Sequence, residues 1–350
     1  MRIILDAMSG DNAPLEVLKG AVLSLKDIKD VEITLVGQRS LLLHVASDNG
    51  IDLTPFRICD AKGVITMEDS PMAMAHEKRD CSMAVGLKLL ADGEGDAFVS
   101  AGNTGALLVG ASLIVKRIKG ISRPGIATVL PLTAPLLLLD SGANLVVTDE
   151  NLEDFAVMGS VYMKKLYDIE NPRVGQINNG TEYNKGLPLQ VAAYQRLREC
   201  DYINFVGNIE GKTIPFSSCD VLVADGFTGN VILKLTEGMG KFMMKNLKEL
   251  LVSSPLVSLS AALFMGARIK EMKRKYSASE HGGALILGVR KPVIKAHGSS
   301  DARAFKNAIR QAASFADNGV NEEIACAMEK IAQKRKEAAM KKAETDTIQK

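Results

Sequence analysis

The sequence predicts an α/β protein, a three-layer α/β/α sandwich built on a mostly parallel sheet. Three observations carry that prediction. Short continuous apolar runs recur along the chain, each ends in a small loop of glycine with hydroxyl or amide residues, and a helix-period stretch follows. Continuous apolar strands belong to sheets buried on both faces. Strands alternating with helices form parallel sheets through right-handed crossovers. The 350 residues are read as a single two-lobed α/β/α catalytic domain over 1–328, with 231–277 as a projecting helical segment and 329–350 as a charged tail.

The units follow one another in order. Ile3–Leu5 runs into Asp6-Ala-Met-Ser-Gly-Asp11, and helix periodicity continues from Pro14 to about Leu25. Ala97–Val99 runs into Ser100-Ala-Gly-Asn-Thr-Gly105, followed by helical sequence to Val115. Leu136–Leu139 ends in Asp140-Ser-Gly-Ala-Asn144, and Val174–Ile177 in Asn178-Asn-Gly-Thr-Glu182. Val221–Ala224 ends in Asp225-Gly-Phe-Thr-Gly-Asn230, and Val293–Ala296 in His297-Gly-Ser-Ser-Asp301. Ile232, Leu235, Met239, Phe242, Leu247 and Leu250 then recur at helical spacing, which suits a dimer-interface helix pair. Leu250–Ala267 is uncharged but holds serines and Pro255, so it is read as an apolar tip and not a membrane span. The basic stretch Arg268, Lys270, Lys273, Arg274 and Lys275 follows, suited to an anionic lipid surface or an acidic partner protein.

In open α/β sheets ligands bind beyond the carboxyl ends of the strands. Loops of this composition converging there would offer backbone N–H groups and helix N-termini, which suit anions, phosphate above all. The plainer alternative is that these glycines, serines, asparagines and aspartates are turn and capping residues.

Composition excludes several classes. Hydrophobic residues at 47% and charged residues at 24% fit an ordinary globular chain. A net charge of +2 and aromatics at 5% with no tryptophan give no footing for nucleic acid. Five isolated cysteines without a Cys-x-x-Cys pair fit a reducing compartment, and the N-terminus does not read as a signal peptide. There is no P-loop lysine motif, no Gly-x-Gly-x-x-Gly after the first strand, no Gly-x-Ser-x-Gly elbow and no His-x-x-x-His pair. What is left is a reaction on a bound anion with no protein nucleophile, no metal and no evident cofactor. Lys185, beside Gly186, could hold phosphate or could be an ordinary surface lysine. Asn103, Asn144 and Asn230 could orient an anion or simply make turns. His297 could cap a loop or move a proton.

Taken together, the loops resemble the bacterial phosphate acyltransferases of phospholipid synthesis (acyl-ACP:phosphate transacylases, the PlsX family). The matching stretches are Asp6-Ala-Met-Ser-Gly-Asp-Asn-Ala-Pro14, Ser100-Ala-Gly-Asn-Thr-Gly-Ala106, Asp140-Ser-Gly-Ala-Asn144, Phe155-Ala-Val-Met-Gly-Ser160, Asp225-Gly-Phe-Thr-Gly-Asn-Val231 and Ala296-His-Gly-Ser-Ser-Asp301. They lie in the family's order across roughly residues 1 to 320. The chain departs from the family pattern at Ser9, Asn12, Ser141 and Leu187, so Asn12 is left out of the chemistry.

The resemblance implies a fold similar to the isocitrate/isopropylmalate dehydrogenases and phosphate acetyltransferases. It implies transfer of a long acyl chain from acyl carrier protein to inorganic phosphate, with no cofactor. The acyl phosphate would feed a membrane glycerol-3-phosphate acyltransferase. It also implies a homodimer, cytoplasmic and peripherally associated with the inner face of the cell membrane. On this reading Lys185, Asn230 and His297 are the catalytic candidates. Lys185 serves phosphate or the departing thiolate, and Asn230 with the backbone of Thr228 and Gly229 serves the carbonyl or phosphate oxygens. Ser100, Asn103, Thr104, Asn144, Asn178, Glu182 and Ser299 complete the substrate and phosphate contacts, while Asp6, Asp11, Asp140 and Asp225 order the loops. Leu256, Val257, Leu259 and the basic residues Arg268, Lys270, Lys273 and Arg274 are expected to touch membrane or carrier protein. The competing readings are an acyl-CoA:phosphate transferase or a metal- and NAD-dependent dehydrogenase on the same fold, and a non-catalytic membrane scaffold for the carrier protein.

Overall fold

The computed structural model describes residues 1–132, 134–251 and 282–348. Its first half comprises β1 (Arg2–Asp6), α1 (Leu15–Asp27), β2 (Glu32–Gly37), α2 (Arg39–Asp48), β3 (Arg57–Asp60), α3 (Ala73–His76), α4 (Ser82–Ala91), β4 (Ala97–Ser100) and α5 (Thr104–Gly110). A π-helical turn over Ala111–Lys116 prolongs α5. There follow β5 (Gly125–Leu130), β6 (Leu136–Leu139), α6 (Asp149–Tyr167), β7 (Arg173–Asn178), α7 (Pro188–Arg198), β8 (Asn204–Glu210), β9 (Val221–Val223) and α8 (Gly226–Leu251). The chain ends in β10 (Ala284–Leu287), β11 (Val293–Lys295), α9 (Ala302–Asp317) and α10 (Val320–Ile348).

Among the described residues the strands form one sheet in the order β3-β2-β1-β4-β11-β10-β5-β6-β9-β7-β8. Seven of the ten strand pairings are parallel, as the alternation of strands and helices predicts. The antiparallel ones, β11–β10, β10–β5 and β5–β6, lie together in the middle. They reverse strand direction, so β6, β9 and β7 run against β1, β4 and β11. Neighbouring strands twist by about 20–25°. Four steps from β4 to β6 therefore turn the two parallel sets roughly crosswise. Residues that follow strands of both sets line one cleft.

The buried strands are apolar throughout: Ile3, Ile4 and Leu5 of β1, Phe98 and Val99 of β4 and Leu136–Leu139 of β6 are all nearly inaccessible. Helices cover them with one face each. In α9, Ala304, Ala308 and Ala312 recur every fourth residue beside Phe305, Ile309 and Phe315, all buried. Each large apolar side chain sealed this way contributes about 1.5–3 kcal/mol. Asp301 starts α9 by accepting the Ala304 N–H at 2.8 Å, and a reciprocal capping box between Thr148 and Asn151 starts α6.

Two segments differ from expectation. The tail boundary at 329 falls inside α10, which stays packed beyond it. Ile331 is buried, and the Arg335 guanidinium meets Glu150 at 2.6 Å, Glu153 at 2.6 Å and Asp154 at 2.8 Å on α6. The projecting segment begins at Gly226 as α8, whose Val231, Leu235, Met239, Phe242, Met243 and Leu250 are exposed. Leu256, Val257, Leu259, Arg268, Lys270, Lys273 and Arg274 lie outside the described residues. Among those described, no helix is long and apolar enough to cross a membrane.

Candidate active site

A cleft of about 570 Å³ opens where the two sets of strand ends meet. One side is lined by Asp11 and Met67, by Thr104 at the start of α5, and by Lys295, Ala296, His297, Gly298 and Ser299 at the end of β11. The other side is lined by Ser141 and Gly142 after β6 and by Asn230, Leu233, Lys234 and Glu237 of α8. Ile126, Thr128 and Val129 of β5, with Pro131, Gly282, Gly283 and Ala284, complete the wall.

Behind this lining lies a polar framework. Asp6, at the end of β1, is buried and accepts the Ser100 hydroxyl at 2.8 Å. The Ser100 and Ser9 hydroxyls meet at 3.1 Å, and these two oxygens accept the N–H groups of Gly102 and Ala101 respectively. Burial pushes the Asp6 carboxyl above the usual carboxylate range, while its hydrogen bonds oppose that shift. Gly10, at φ +105°, makes the bend that brings the loops together, since a Cβ there would lie 3.2 Å from both Ala101 Cβ and the Gly298 carbonyl. The Asp11 N–H closes the junction by donating to the Gly298 carbonyl at 2.8 Å.

Asp140 does the same work across the cleft. Its Oδ1 accepts N–H groups from Ile126, Gly142 and Ala143 at 2.9–3.1 Å, and Oδ2 accepts the Asn144 N–H at 2.7 Å and the Asn144 amide at 2.9 Å. The first turn of α8 lies directly on this loop. A Cβ on Gly229 would stand 1.8 Å from the Asp140 carbonyl oxygen, so only glycine allows the approach. Asp225 caps α8 by accepting the Thr228 N–H at 2.8 Å and hydroxyl at 2.7 Å.

This geometry divides the residues singled out from sequence. Thr104, Asn230, His297 and Ser299 line the cleft, as does Asp11. Ser100 and Asn144, expected to touch substrate, are instead buried behind the lining with their polar atoms engaged in the framework. The backbone of Thr228 and Gly229 is likewise not free for an oxygen ligand, because both N–H groups donate to Asp225. Asn103 caps α5 through its carbonyl and directs its amide NH₂ at the carbonyls of Thr66, Met67 and Asp69. Asn178, the half-buried last residue of β7, and Glu182 and Lys185 of the exposed loop that follows do not line the cleft. There the Asn178 amide donates to the Lys185 carbonyl at 3.0 Å, and the Glu182 carbonyl accepts the Asn208 amide at 2.8 Å. Since β6, β9 and β7 run parallel side by side, that loop leaves the same sheet edge as Asp140 and Asn230.

Sequence reasoning passed over Lys295 and Lys234, two cations on the lining. Lys234 is paired with Glu237 at 2.9 Å. His297 receives both the Ser299 N–H at 3.2 Å and its hydroxyl at 2.9 Å on Nδ1. That pattern assigns the ring proton to Nε2. Burial, then the charges of Lys234 and Lys295, push its protonation below the usual imidazole range, so the ring is a neutral donor at neutral pH.

The chain matches a family model described as "Fatty acid synthesis protein" over residues 1–323. It is 45% identical over 321 residues to a phosphate acyltransferase of Thermoanaerobacter pseudethanolicus, covering 91% of this chain and 95% of that one. It is 42% identical over 325 residues to a phosphate acyltransferase of Acetivibrio thermocellus, covering 93% and 95%. Among solved structures, a phosphotransacetylase from Streptococcus pyogenes superposes with a TM-score of 0.61 at 18% identity, over 90% of this chain and 94% of that one. A branched-chain phosphotransacylase from Enterococcus faecalis superposes at 0.55 with 14% identity, over 91% and 100%. The structural likeness establishes the shared fold.

Proposed function

The chain belongs to the phosphate acyltransferase family, and from that premise we propose that it moves a long acyl chain from acyl carrier protein to inorganic phosphate, supplying acyl phosphate for phospholipid synthesis. The observation carrying this reading is the cleft itself, which sets an apolar wall of Ile126, Val129, Pro131 and Leu233 beside cations and neutral donors. Such a site takes an acyl chain and an oxyanion together.

Phosphate is the nucleophile, so the protein has to hold it against the thioester carbonyl. A phosphate oxygen bonds to the carbonyl carbon, the carbon–sulfur bond breaks, and the proton brought by hydrogen phosphate ends on the carrier thiol. Asn230 and the His297 Nε2–H face the cleft as neutral donors for the tetrahedral oxyanion. Thr104 adds a hydroxyl, Ser299 holds the His297 ring in its donor tautomer, and Lys185, at the same sheet edge outside the cleft, serves the departing thiolate. The test is phosphate-dependent release of carrier thiol from palmitoyl-ACP, with hydroxylamine trapping of the product. Hydroxamate formed only with phosphate supports the reading. Folded protein that reacts with palmitoyl-CoA alone favours a CoA-dependent transferase, and no reaction with either defeats acyl transfer.

His297 gives a separable expectation. His297→Ala should lower kcat roughly 100-fold, and because the neutral ring is the working form, any acidic limb it causes should lie below about pH 6.5. A limb above that value, or an unchanged kcat, would remove the donor role.

The proposal extends to a peripherally membrane-associated cytoplasmic homodimer. The exposed apolar face of α8 supports pairing with a second copy, and the uncharged run with its basic flank supports contact with anionic lipid. Charged substitutions at Leu256, Val257 and Leu259 should abolish binding to anionic liposomes while activity in solution persists. Retained liposome binding with lost activity would give this segment to the carrier protein instead.

A further inference from the structure

Lys295 ends β11 on the cleft wall, where Asp11 faces it without pairing with it. Its ammonium donates to the Ala296 carbonyl at 2.5 Å and to the Ala101 carbonyl at 3.4 Å, neutral groups from the loops after β11 and β4. Among the described residues no carboxylate lies within ion-pairing distance of it, whereas Lys234, the other cation of the lining, already has Glu237. An ammonium carries three donors, so one remains after the two carbonyls. A half-buried cation without a counter-ion is costly, and a cleft that keeps one is arranged to receive an anion.

We propose that Lys295 is the residue that binds the phosphate nucleophile, pinned by the Ala101 and Ala296 carbonyls so that its remaining donor meets a phosphate oxygen where the loops after β1, β4 and β11 join. This rests on the phosphate acyltransferase reading for the identity of the anion. Lysine suits the task because its compact ammonium can be held by two carbonyls and still present a point charge to phosphate. The charged and titratable groups facing it are Asp11 from the loop after β1, the neutral His297 ring just past its own strand, and Lys234 and Glu237 from α8. Burial, with Lys234 adding to it and Asp11 opposing, brings the ammonium down to about 8. Phosphate affinity should therefore be full below that pH and fall as pH rises through it.

The experiment pairs equilibrium binding of radiolabelled inorganic phosphate, in the absence of any acyl donor, with steady-state kinetics for wild type, Lys295→Gln, Lys295→Met and Lys295→Arg. Loss of one charge-assisted hydrogen bond should weaken phosphate binding and raise its KM roughly 10–100-fold, with the KM for the acyl donor unchanged. Arginine should restore part of the affinity and remove its decline above pH 8. Lys295→Met tests the same loss with an apolar side chain of similar length, should the glutamine variant misfold. Unchanged phosphate binding in a folded Gln or Met variant would overturn the inference, as would a wild type that binds no phosphate. Wild type that binds phosphate through Lys295 yet forms no acyl phosphate would defeat the functional reading and leave this inference standing.

Discussion

Replacing Asp140 with alanine should destabilise the protein by roughly 3–5 kcal/mol and abolish turnover together. The side chain is fully buried and accepts five hydrogen bonds, from the main chain of Ile126, Gly142, Ala143 and Asn144 and from the Asn144 amide. Alanine leaves those donors facing a cavity, and each buried donor left unpaired costs about 1–3 kcal/mol before relaxation. Water entering the space would recover part of that, which keeps the expected total below the simple sum. The damage reaches the cleft because Ser141 and Gly142 line it and Gly229 of α8 rests on the Asp140 carbonyl. Asp140→Asn should fall between wild type and alanine. One amide oxygen can keep the three Oδ1 contacts, but its NH₂ would confront the two Asn144 donors. Thermal unfolding followed beside activity checks this. A drop in Tm of roughly 4–7 °C is expected for alanine, and a melt within a degree of wild type would show that the loop does not depend on this carboxylate.

The same loops show how far the sequence could be read. The six strands recognised before polar loops are present as β1, β4, β6, β7, β9 and β11, because an apolar run followed by glycine and capping residues is a local signal. The five others were not singled out. Of these, β5 and β10 run antiparallel through the middle of the sheet, an arrangement set by pairing between distant segments. Nothing within Gly125–Leu130 or Ala284–Leu287 encodes it. Site residues divide in a similar way. Asn230, His297 and Ser299 were legible as positions on the cleft lining, because loops at strand ends gather there. Lys295 was not, since a lysine closing an apolar strand looks like ordinary strand-end charge until the carbonyls of Ala101 and Ala296 are seen around it. Ser100 and Asn144 carry the right chemistry, but only the fold reveals that Asp6 and Asp140 already hold them behind the wall.

Asn230→Ala should do the reverse of Asp140→Ala, leaving stability unchanged and removing most of the turnover. Asn230 is exposed on the first turn of α8 and lines the cleft. Truncating an exposed side chain away from caps and cores usually changes stability by no more than about 0.5 kcal/mol. Chemistry is another matter. A donor aimed at the developing oxyanion lowers the barrier by about 3–4 kcal/mol, so its loss should reduce kcat roughly 10²–10³-fold. Because that contact strengthens as charge develops, the KM for phosphate should move little. Asn230→Asp sharpens the test, since it preserves shape while exchanging the NH₂ for negative charge. It should lose as much kcat and also raise the phosphate KM by repulsion. Lys185→Ala provides the contrast at the same sheet edge. Serving the departing thiolate from an exposed loop, it should cost kcat roughly 2–5-fold, in the range of a single exposed charge contact, without changing phosphate affinity. If Asn230→Ala turns over normally while Lys185→Ala is inactive, the oxyanion is held from the loop after β7, and the reaction centre has to be moved outward along that edge.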